Sequence, residues 1–210
     1  MKHHAEFSLD MGCLSLDINQ TFDHEFIMIS GENGSGKTTF LRCLAGLEKK
    51  VQGRWVLNDV VQLDSASSLC VPVHERSVAC VWRDAALLPW LNVQQNIELG
   101  IRSQDALFFS NLCEALHISH LLARYPAVLS SGEAQRVNIA RALCRQAKLV
   151  LLDEPFSAQA PAMRQHLRQW FKKSQQEWAI PIIMVSHDLE DVHALADQHW
   201  QMQAGRLWQL

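Results

Sequence analysis

Apolar and polar residues alternate with a period of two along the first part of the chain. Two such series occur: Phe7, Leu9 and Met11, then Leu14, Leu16 and Ile18. Successive side chains of a strand point to opposite faces, so this period predicts two half-buried β-strands. Gly53 to Leu57 predicts a further strand, closed by a turn at Asn58-Asp59. The N-terminal third is therefore predicted to be rich in antiparallel β-structure.

Continuous apolar runs indicate strands that are buried on both faces. They cover Glu25 to Ser30, Lys148 to Leu152 and Ile180 to Val185. Helical periods alternate with these runs: one follows the first run and has Phe40, Leu41, Leu44 and Leu47 on one face, and others lie around Ala162 to Trp178 and Leu189 to Ala196. Alternating strands and helices predict an α/β fold with a mainly parallel sheet. A last hairpin is predicted to turn at Ala204-Gly205.

The middle of the chain, from about Gln104 to Leu143, has a helical pattern, with Phe109, Leu112 and Leu116 on one stripe. A short helix is predicted to begin near Ser119 and to end at Pro126. Gln165 to Glu177, later in the chain, is polar and charged, which favours a solvated helix face.

Composition restricts the class of protein. The chain has 210 residues, 48% hydrophobic and 20% charged, and a formal net charge of −3. This balance excludes wholesale disorder, and the absence of a basic excess argues against a nucleic-acid partner. No apolar run approaches the roughly 20 residues of a membrane-spanning helix, and the N-terminus lacks a secretion signal's apolar core. The six cysteines are single and scattered, so we expect buried reduced thiols of a cytosolic protein; a disulfide or metal site is the alternative.

One segment matches the phosphate-binding pattern GxxxxGK[ST] at every fixed position, between a predicted buried strand and a predicted helix. Its glycines let backbone N–H groups turn inward, and the helix N-terminus favours negative charge. A lysine there reaches the β- and γ-phosphates, and Thr38 is a ligand for Mg²⁺. The alternative, a plain glycine turn, does not explain all fixed positions. The predicted nucleotide-binding residues are Gly31, Glu32, Asn33, Gly34, Ser35, Gly36, Lys37, Thr38 and Thr39.

Two carboxylates follow the apolar run that ends at Leu152. Asp153 stands where it would hold Mg²⁺ together with Thr38, and Glu154 stands where a general base would activate water. A small-molecule kinase needs no base for water, so the pair favours hydrolysis of ATP.

The segment Leu129 to Leu143, which reads LSSGEAQRVNIARAL, resembles the signature of ABC-type ATPases. The phosphate-binding loop, the acidic strand end and Ser186-His187-Asp188 lie in the family's order, so the resemblance covers the whole chain. It implies a single P-loop domain over 1–210 with an N-terminal antiparallel β subdomain. Residues 1–84 and 146–210 would form the nucleotide-binding core, and 85–145 an inserted helical subdomain.

The resemblance also implies roles and partners. Two subunits, as a homodimer or a heterodimer, would pack head-to-tail so that Ser130, Gly132 and Glu133 of one contact ATP held by the other. His187 would contact the γ-phosphate. The chain would hydrolyse ATP with Mg²⁺ to power a membrane permease, without nucleic acid, and would lie peripherally at the cytoplasmic face of the inner membrane.

Within the family, the segments 56–59, 71–81 and 82–89 are similar to the molybdate-importer group. That group carries a C-terminal oxyanion-binding domain, which we do not expect in this sequence because it ends at Leu210, just after the last hairpin. Two other functions stay open: an export-type cassette, and a non-transport ABC ATPase that regulates a macromolecular complex.

Several positions depart from the family pattern. Arg83 stands where the family has a glutamine, and a guanidinium cannot ligate Mg²⁺ but can contact the γ-phosphate. Ala160 replaces a carboxylate that braces the dimer, and Ser131 replaces a glycine of the signature. The aromatic residue that stacks on adenine has no clear counterpart; Phe7 is the nearest candidate, and a position in the core is the alternative for it. We therefore expect ATP binding with slow turnover.

Residues 85–91, which read AALLPWL, are apolar and loop-like, as a docking site for a membrane partner would be. Trp90 is the predicted exposed anchor.

Overall fold

The computed structural model describes residues 2–23, 25–101 and 106–210. Its strands are β1 His3–Asp10, β2 Ser15–Phe22, β3 Phe26–Ser30, β4 Gln52–Leu57, β5 Val60–Asp64, β6 Leu69–Cys70, β7 Val78–Val81, β8 Leu149–Asp153, β9 Ile182–Val185, β10 Gln198–Gln203 and β11 Arg206–Gln209. Its α-helices are α1 Lys37–Ala45, α2 Val93–Glu98, α3 Ala106–Ala115, α4 Ser131–Leu143, α5 Pro161–Trp178 and α6 Leu189–Leu195, and 3₁₀ turns cover Ser119–Leu121 and Pro126–Val128. The predicted α/β class is confirmed.

The described strands form one sheet in the order β6-β5-β4-β1-β2-β11-β10-β3-β9-β8-β7. From β10 to β7 all neighbouring strands are parallel. From β6 to β2 they are antiparallel, as the period-two pattern predicts. Strand β11 joins the two parts of the sheet: it pairs with β2 in parallel and with β10 antiparallel.

The parallel strands are buried on both faces. Alternate residues of β3, β8 and β9 belong to two different apolar clusters: Phe26, Met28, Val150 and Leu152 to one, and Ile27, Ile29, Leu149 and Leu151 to the other. Helix α1 packs on the second face through Phe40, Leu41 and Leu44. Residues of α2, α3, α4 and α5 pack on the first. The continuous apolar runs therefore predicted these strands correctly.

The helical middle of the chain is more broken than its pattern predicts. Helix α2, which begins at an Asn92 capping box, starts before the predicted stretch, and Pro126 begins a 3₁₀ turn instead of ending a helix. Proline fits there because its missing N–H falls in the first turn. Gln104, where the prediction starts, lies outside the described residues.

Other sequence predictions also need correction. Met11 lies beyond the end of β1 and is exposed, and Leu47 follows the left-handed cap Gly46 and is exposed. Strands β5, β6 and β7 were not predicted. Cys13 and Cys70 are exposed, so the expectation that the cysteines are buried is wrong for these two. All six cysteines are free thiols, as expected.

A search of the described residues found no helix that combines the length and the apolar character needed to span a bilayer.

Arg76 fixes the C-terminal end of α1, the helix that carries the phosphate-binding pattern at its other end. The side chain is 2% exposed. Its Nη1 donates to Leu44 O at 2.9 Å, its Nε to Val71 O at 2.9 Å, and its Nη2 to Gln62 O at 3.3 Å. The guanidinium therefore satisfies helix-end carbonyl groups and ties α1 to the β5–β7 region.

We predict that Arg76→Met lowers the free energy of unfolding by about 3 kcal/mol, because it leaves several buried carbonyl oxygens without donors. Urea denaturation measures this. Arg54→Met, at an exposed position of β4, is the control and should change stability by less than about 0.5 kcal/mol. Equal losses for the two variants would contradict the role assigned to Arg76.

Candidate functional site

The glycine-rich segment forms the turn between β3 and α1. Gly31 has a φ of +144°, and a Cβ there would lie 2.1 Å from the carbonyl oxygen of Met202. Gly36, the N-cap of α1, has a φ of +109° and lies against the side chain of Leu16. Only glycine fits both positions, so the turn keeps its backbone close to the helix start. The first turn of α1 carries no acidic residue, which leaves the positive end of the helix dipole available to an anion.

Lys37 turns back over this segment. Its Nζ donates to Gly31 O at 2.8 Å and to Glu32 O at 2.7 Å. Burial lowers the pKa of Lys37, and the carboxylates of Glu154 and Asp153 oppose that shift. The ammonium group is therefore held above the turn, facing the acidic end of β8.

Asp153 ends β8 and is paired with the first turn of α1. The Thr38 hydroxyl donates to its Oδ2 at 2.9 Å. Burial raises the pKa of Asp153, and the Thr38 hydrogen bond opposes the increase. A buried carboxylate beside a hydroxyl is a set of hard oxygen ligands, which fits Mg²⁺.

Glu154 follows in a left-handed backbone conformation, with a φ of +48°. This conformation costs a non-glycine residue about 1 kcal/mol and turns the carboxylate away from the strand. Its Oε1 lies 2.8 Å from His187 Nε2, and its Oε2 lies 3.9 Å from Arg83 Nε. His187 therefore contacts one carboxylate oxygen, and Arg83 lies near the other without a hydrogen bond.

These residues line one cavity of about 390 Å³. The predicted residues that the structure brings together there are Asn33, Gly34, Gly36, Lys37, Thr38, Thr39, Arg83, Asp153, Glu154 and His187. Gly31, Glu32 and Ser35 form the frame of the turn instead of the cavity wall. A volume of this size and a lining of loop amides, cations and carboxylates suit the phosphates of a nucleotide and a divalent ion.

The cavity also contains residues that the sequence did not indicate. Met11, Cys13 and Leu14, from the β1–β2 turn, line its mouth, and Val185 lines its floor. Phe7 does not line it: the ring is buried and stacks on Phe40, with 6.1 Å between centroids. Phe7 is therefore a core residue, which was the alternative interpretation of its position.

The signature turn lies elsewhere on the chain. Ser130 caps α4, accepting a hydrogen bond from Glu133 N and donating from its hydroxyl to Glu133 Oε2 at 2.7 Å. These hydrogen bonds lower the pKa of Glu133. Among the described residues that line the cavity, Ser130, Gly132 and Glu133 are absent. The signature turn and the cavity are therefore separate on a single copy.

Hydrogen bonds connect the loop after Glu154 to the signature turn. Gln159 Nε2 donates to Gly132 O at 3.0 Å, and Arg136 Nη1 donates to Gln159 Oε1 at 2.9 Å. A Cβ on Gly132 would lie 2.9 Å from Ala158 O. The loop that lacks the expected carboxylate at Ala160 is thus held by a buried neutral amide.

Ionic contacts from α5 hold the turn that carries His187. Arg168 donates to Asp191 at 2.6 Å and to Asp188 at 2.8 Å, and Arg164 donates to Asp188 at 2.6 Å. Ser186 Oγ also donates to Asp191. Arg168 is buried, so the prediction of a solvated face over Gln165 to Glu177 is wrong at this position. Its partners follow the next strand, and no local pattern indicated them.

Comparison with known proteins decides the family. Residues 14–157 match the sequence model described as ABC transporter. The chain belongs to the ABC transporter family, in which it is an ATP-binding domain.

This ABC domain is similar in sequence to curated proteins that are named as import ATP-binding proteins. It is 38% identical to molybdenum import ATP-binding protein ModC 1 of Azotobacter vinelandii, over 97% of this chain and 58% of that protein. It is 39% identical to molybdenum import ATP-binding protein ModC of Pseudomonas fluorescens, over 98% of this chain and 59% of that protein. The chain thus spans less than two thirds of the length of these relatives.

Solved structures agree with the fold of the ABC domain. The dimeric ATP-binding cassette MJ0796 bound to ADP and Pi has a TM-score of 0.80 at 22% identity, covering 100% of this chain and 99% of that one. The cbiO1 protein from Clostridium perfringens, part of the ABC transporter complex cbiONQ, has a TM-score of 0.79 at 25% identity, covering 99% and 86%. The predicted P-loop fold of ABC type is confirmed.

We predict that Asp153→Asn stabilises the nucleotide-free chain while it abolishes Mg²⁺-dependent ATP binding. The raised pKa means that the folded state disfavours the ionised carboxylate, so its cost develops as pH rises through the unfolded and then the folded pKa. Asparagine removes that cost and still accepts from Thr38. Urea denaturation at pH 7 should show a gain of about 1 kcal/mol, shrinking as pH falls toward about 4.

The control for this prediction is Asp17→Asn, at an exposed position of β2, which should leave both stability and ATP binding unchanged. A loss of stability in Asp153→Asn at pH 7 would contradict the assignment.

Proposed function

We propose that this chain is the ATP-binding subunit of an ABC importer, and that it binds and hydrolyses ATP to power a partner permease. The observation that carries the proposal is the single cavity that joins Lys37, Thr38, Asp153, Glu154 and His187. The relatives named molybdenum import ATP-binding proteins favour a molybdate-type oxyanion as the transported substrate and import as the direction.

Each residue has a role in this proposal. The amides from Gly31 to Thr39 and the Lys37 ammonium bind the phosphates of ATP. Thr38 and Asp153 hold Mg²⁺, which when bound neutralises charge on the β- and γ-phosphates. Glu154 accepts a proton from the attacking water, and His187, already within 2.8 Å of Glu154, contacts the γ-phosphate.

A second copy completes the site. Ser130 and Gly132, with Glu133 capping the same turn, do not line their own chain's cavity, so we infer that they close over ATP held by a partner cassette, in a homodimer or a heterodimer. The dimeric form of MJ0796 supports this arrangement. The segment 85–145, whose described part contains α2, α3 and α4, acts as a subdomain that carries this turn toward the partner.

Turnover is slow in this proposal. Arg83 occupies the position of a glutamine that helps to order Mg²⁺ and water, and Ala160 removes a carboxylate from the dimer contact. Arg83 lines the cavity among the groups that bind nucleotide. The loop amides, Lys37 and Thr38 are unchanged, so ATP binding is kept while hydrolysis slows.

The partner permease docks on the loop before α2, which places the subunit peripherally at the cytoplasmic face of the inner membrane. The buried side chain of Asn96 shapes this loop. Its Oδ1 accepts a hydrogen bond from Leu88 N at 2.8 Å, and its Nδ2 donates to Leu88 O at 3.1 Å and to Leu91 O at 3.0 Å. Trp90, at the tip, is 68% exposed. A rigid loop with an exposed aromatic side chain suits a binding anchor.

The proposal predicts that Glu154→Gln, with ATP and Mg²⁺, forms a stable dimer in size-exclusion chromatography, because ATP stays bound when the base is removed. Phosphate release should fall at least about 100-fold below that of the wild type, whose own rate should lie below about 1 s⁻¹. Glu177→Gln, at an exposed position of α5, is the control. A Glu154→Gln protein that stays monomeric with ATP, even with its permease, would overturn the paired site.

For the docking loop, we predict that Trp90→Ala weakens co-purification with a co-expressed molybdate-type permease about tenfold, while ATP affinity stays within about twofold. Trp208→Ala, at an exposed position of β11, should leave both unchanged. Equal loss of permease binding and ATP affinity in Trp90→Ala would show that Trp90 supports the fold instead.

A further inference from the structure

Arg83 has an exposed side chain beside a hydrogen-bonded stretch of backbone. The carbonyl of the preceding Trp82 accepts a hydrogen bond from Gln135 Nε2 at 3.0 Å, and Gln135 is buried in α4. The backbone beside Arg83 is therefore tied to the signature helix. The Arg83 side chain itself is 68% exposed and lines the cavity.

The present partner of Arg83 is the Glu154 carboxylate. Its Nε lies 3.9 Å from Glu154 Oε2, which is beyond hydrogen-bond length, whereas His187 lies 2.8 Å from the other oxygen. Because Arg83 is exposed and the separation is long, the ion pair contributes only about 0–1 kcal/mol. The pair therefore orients Arg83 toward the acidic end of β8 and is easily exchanged for a stronger partner.

A phosphate group is such a partner. A guanidinium has five donors and binds phosphate oxygens in a bidentate manner, with stronger bonds than it makes at 3.9 Å. Lys37, Thr38 and Asp153 fix where the phosphates enter the cavity, and Arg83 lies on the same side as Glu154. The phosphate nearest to Glu154 is the terminal one of a nucleoside triphosphate, if Glu154 acts on water that attacks it.

We propose that Arg83 exchanges between Glu154 and the terminal phosphate of a bound nucleoside triphosphate, and so makes the site selective for triphosphates over diphosphates. The inference rests on the proposed function. A triphosphate draws Arg83 away from Glu154 and frees Oε2 to accept a hydrogen bond from water. A diphosphate leaves the Arg83–Glu154 pair in place, because its last phosphate lies nearer to Lys37.

The experiment compares ATP and ADP affinities by calorimetry with Mg²⁺, for the wild type, Arg83→Gln, Glu154→Gln and the double variant. All four proteins also carry Ser130→Asp, which keeps a capping side chain on α4 but places a negative charge where a partner's ATP would bind, and so prevents the pairing expected of Glu154→Gln. Light scattering checks that each protein stays monomeric with ATP and Mg²⁺. Arg83→Gln should weaken ATP binding about tenfold, equivalent to about 1.4 kcal/mol, and change ADP binding less than about twofold. Arg83→Lys should recover part of the ATP affinity, because it restores the charge without the bidentate geometry.

The Glu154 variants test the exchange itself. Glu154→Gln should tighten ATP binding by releasing Arg83, and this gain should be at least about threefold smaller when Arg83 is already glutamine. Arg54→Gln, far from the cavity lining, is the control for loss of positive charge.

Two results would overturn the inference alone: equal weakening of ATP and ADP by Arg83→Gln, or equal gains from Glu154→Gln with and without Arg83. A wild-type chain that binds neither nucleotide would overturn the proposed function and this inference together.

Discussion

Parallel pairing of β3, β9 and β8 brings three strand ends to one edge of the sheet, and each end carries part of the site. The phosphate-binding turn follows β3, Asp153 ends β8 with Glu154 next to it, and His187 follows β9. The register of these strands is fixed by apolar side chains on both faces, because a slip of one residue would exchange the side chains of the two clusters. The charges at the edge are therefore positioned by a core that contains none of them.

Sequence reasoning predicted the features whose signal is local. Gly31 and Gly36 are close in the chain to Lys37, which they help to position. The apolar run of β8 likewise leads directly into Asp153. The capping box at Ser130, which only the structure revealed, is likewise contained within four residues. Each of these could be predicted because one short segment contains both the cause and its effect.

The sequence could not show contacts between residues that are far apart in the chain. Arg168 is buried only because Asp188 and Asp191 arrive from the turn after β9. Phe7 has the same pattern whether it stacks on a nucleotide or on Phe40, and only the packing of α1 on the sheet decides between them. Strand β6 is two residues long and exposed, too short for a period to be visible.

The exposed thiol of Cys13, in the lining of the cavity, is suited to labelling with a thiol-reactive fluorophore. Burial raises the pKa of Cys43, Cys80 and Cys144 to about 12 and that of Cys113 to about 11, which leaves these thiols unreactive near neutral pH. Cys13 and Cys70 are exposed, and of these two only Cys13 lines the cavity. After Cys70→Ser, an environment-sensitive fluorophore on Cys13 would sit beside the nucleotide and give an optical signal for its arrival and departure.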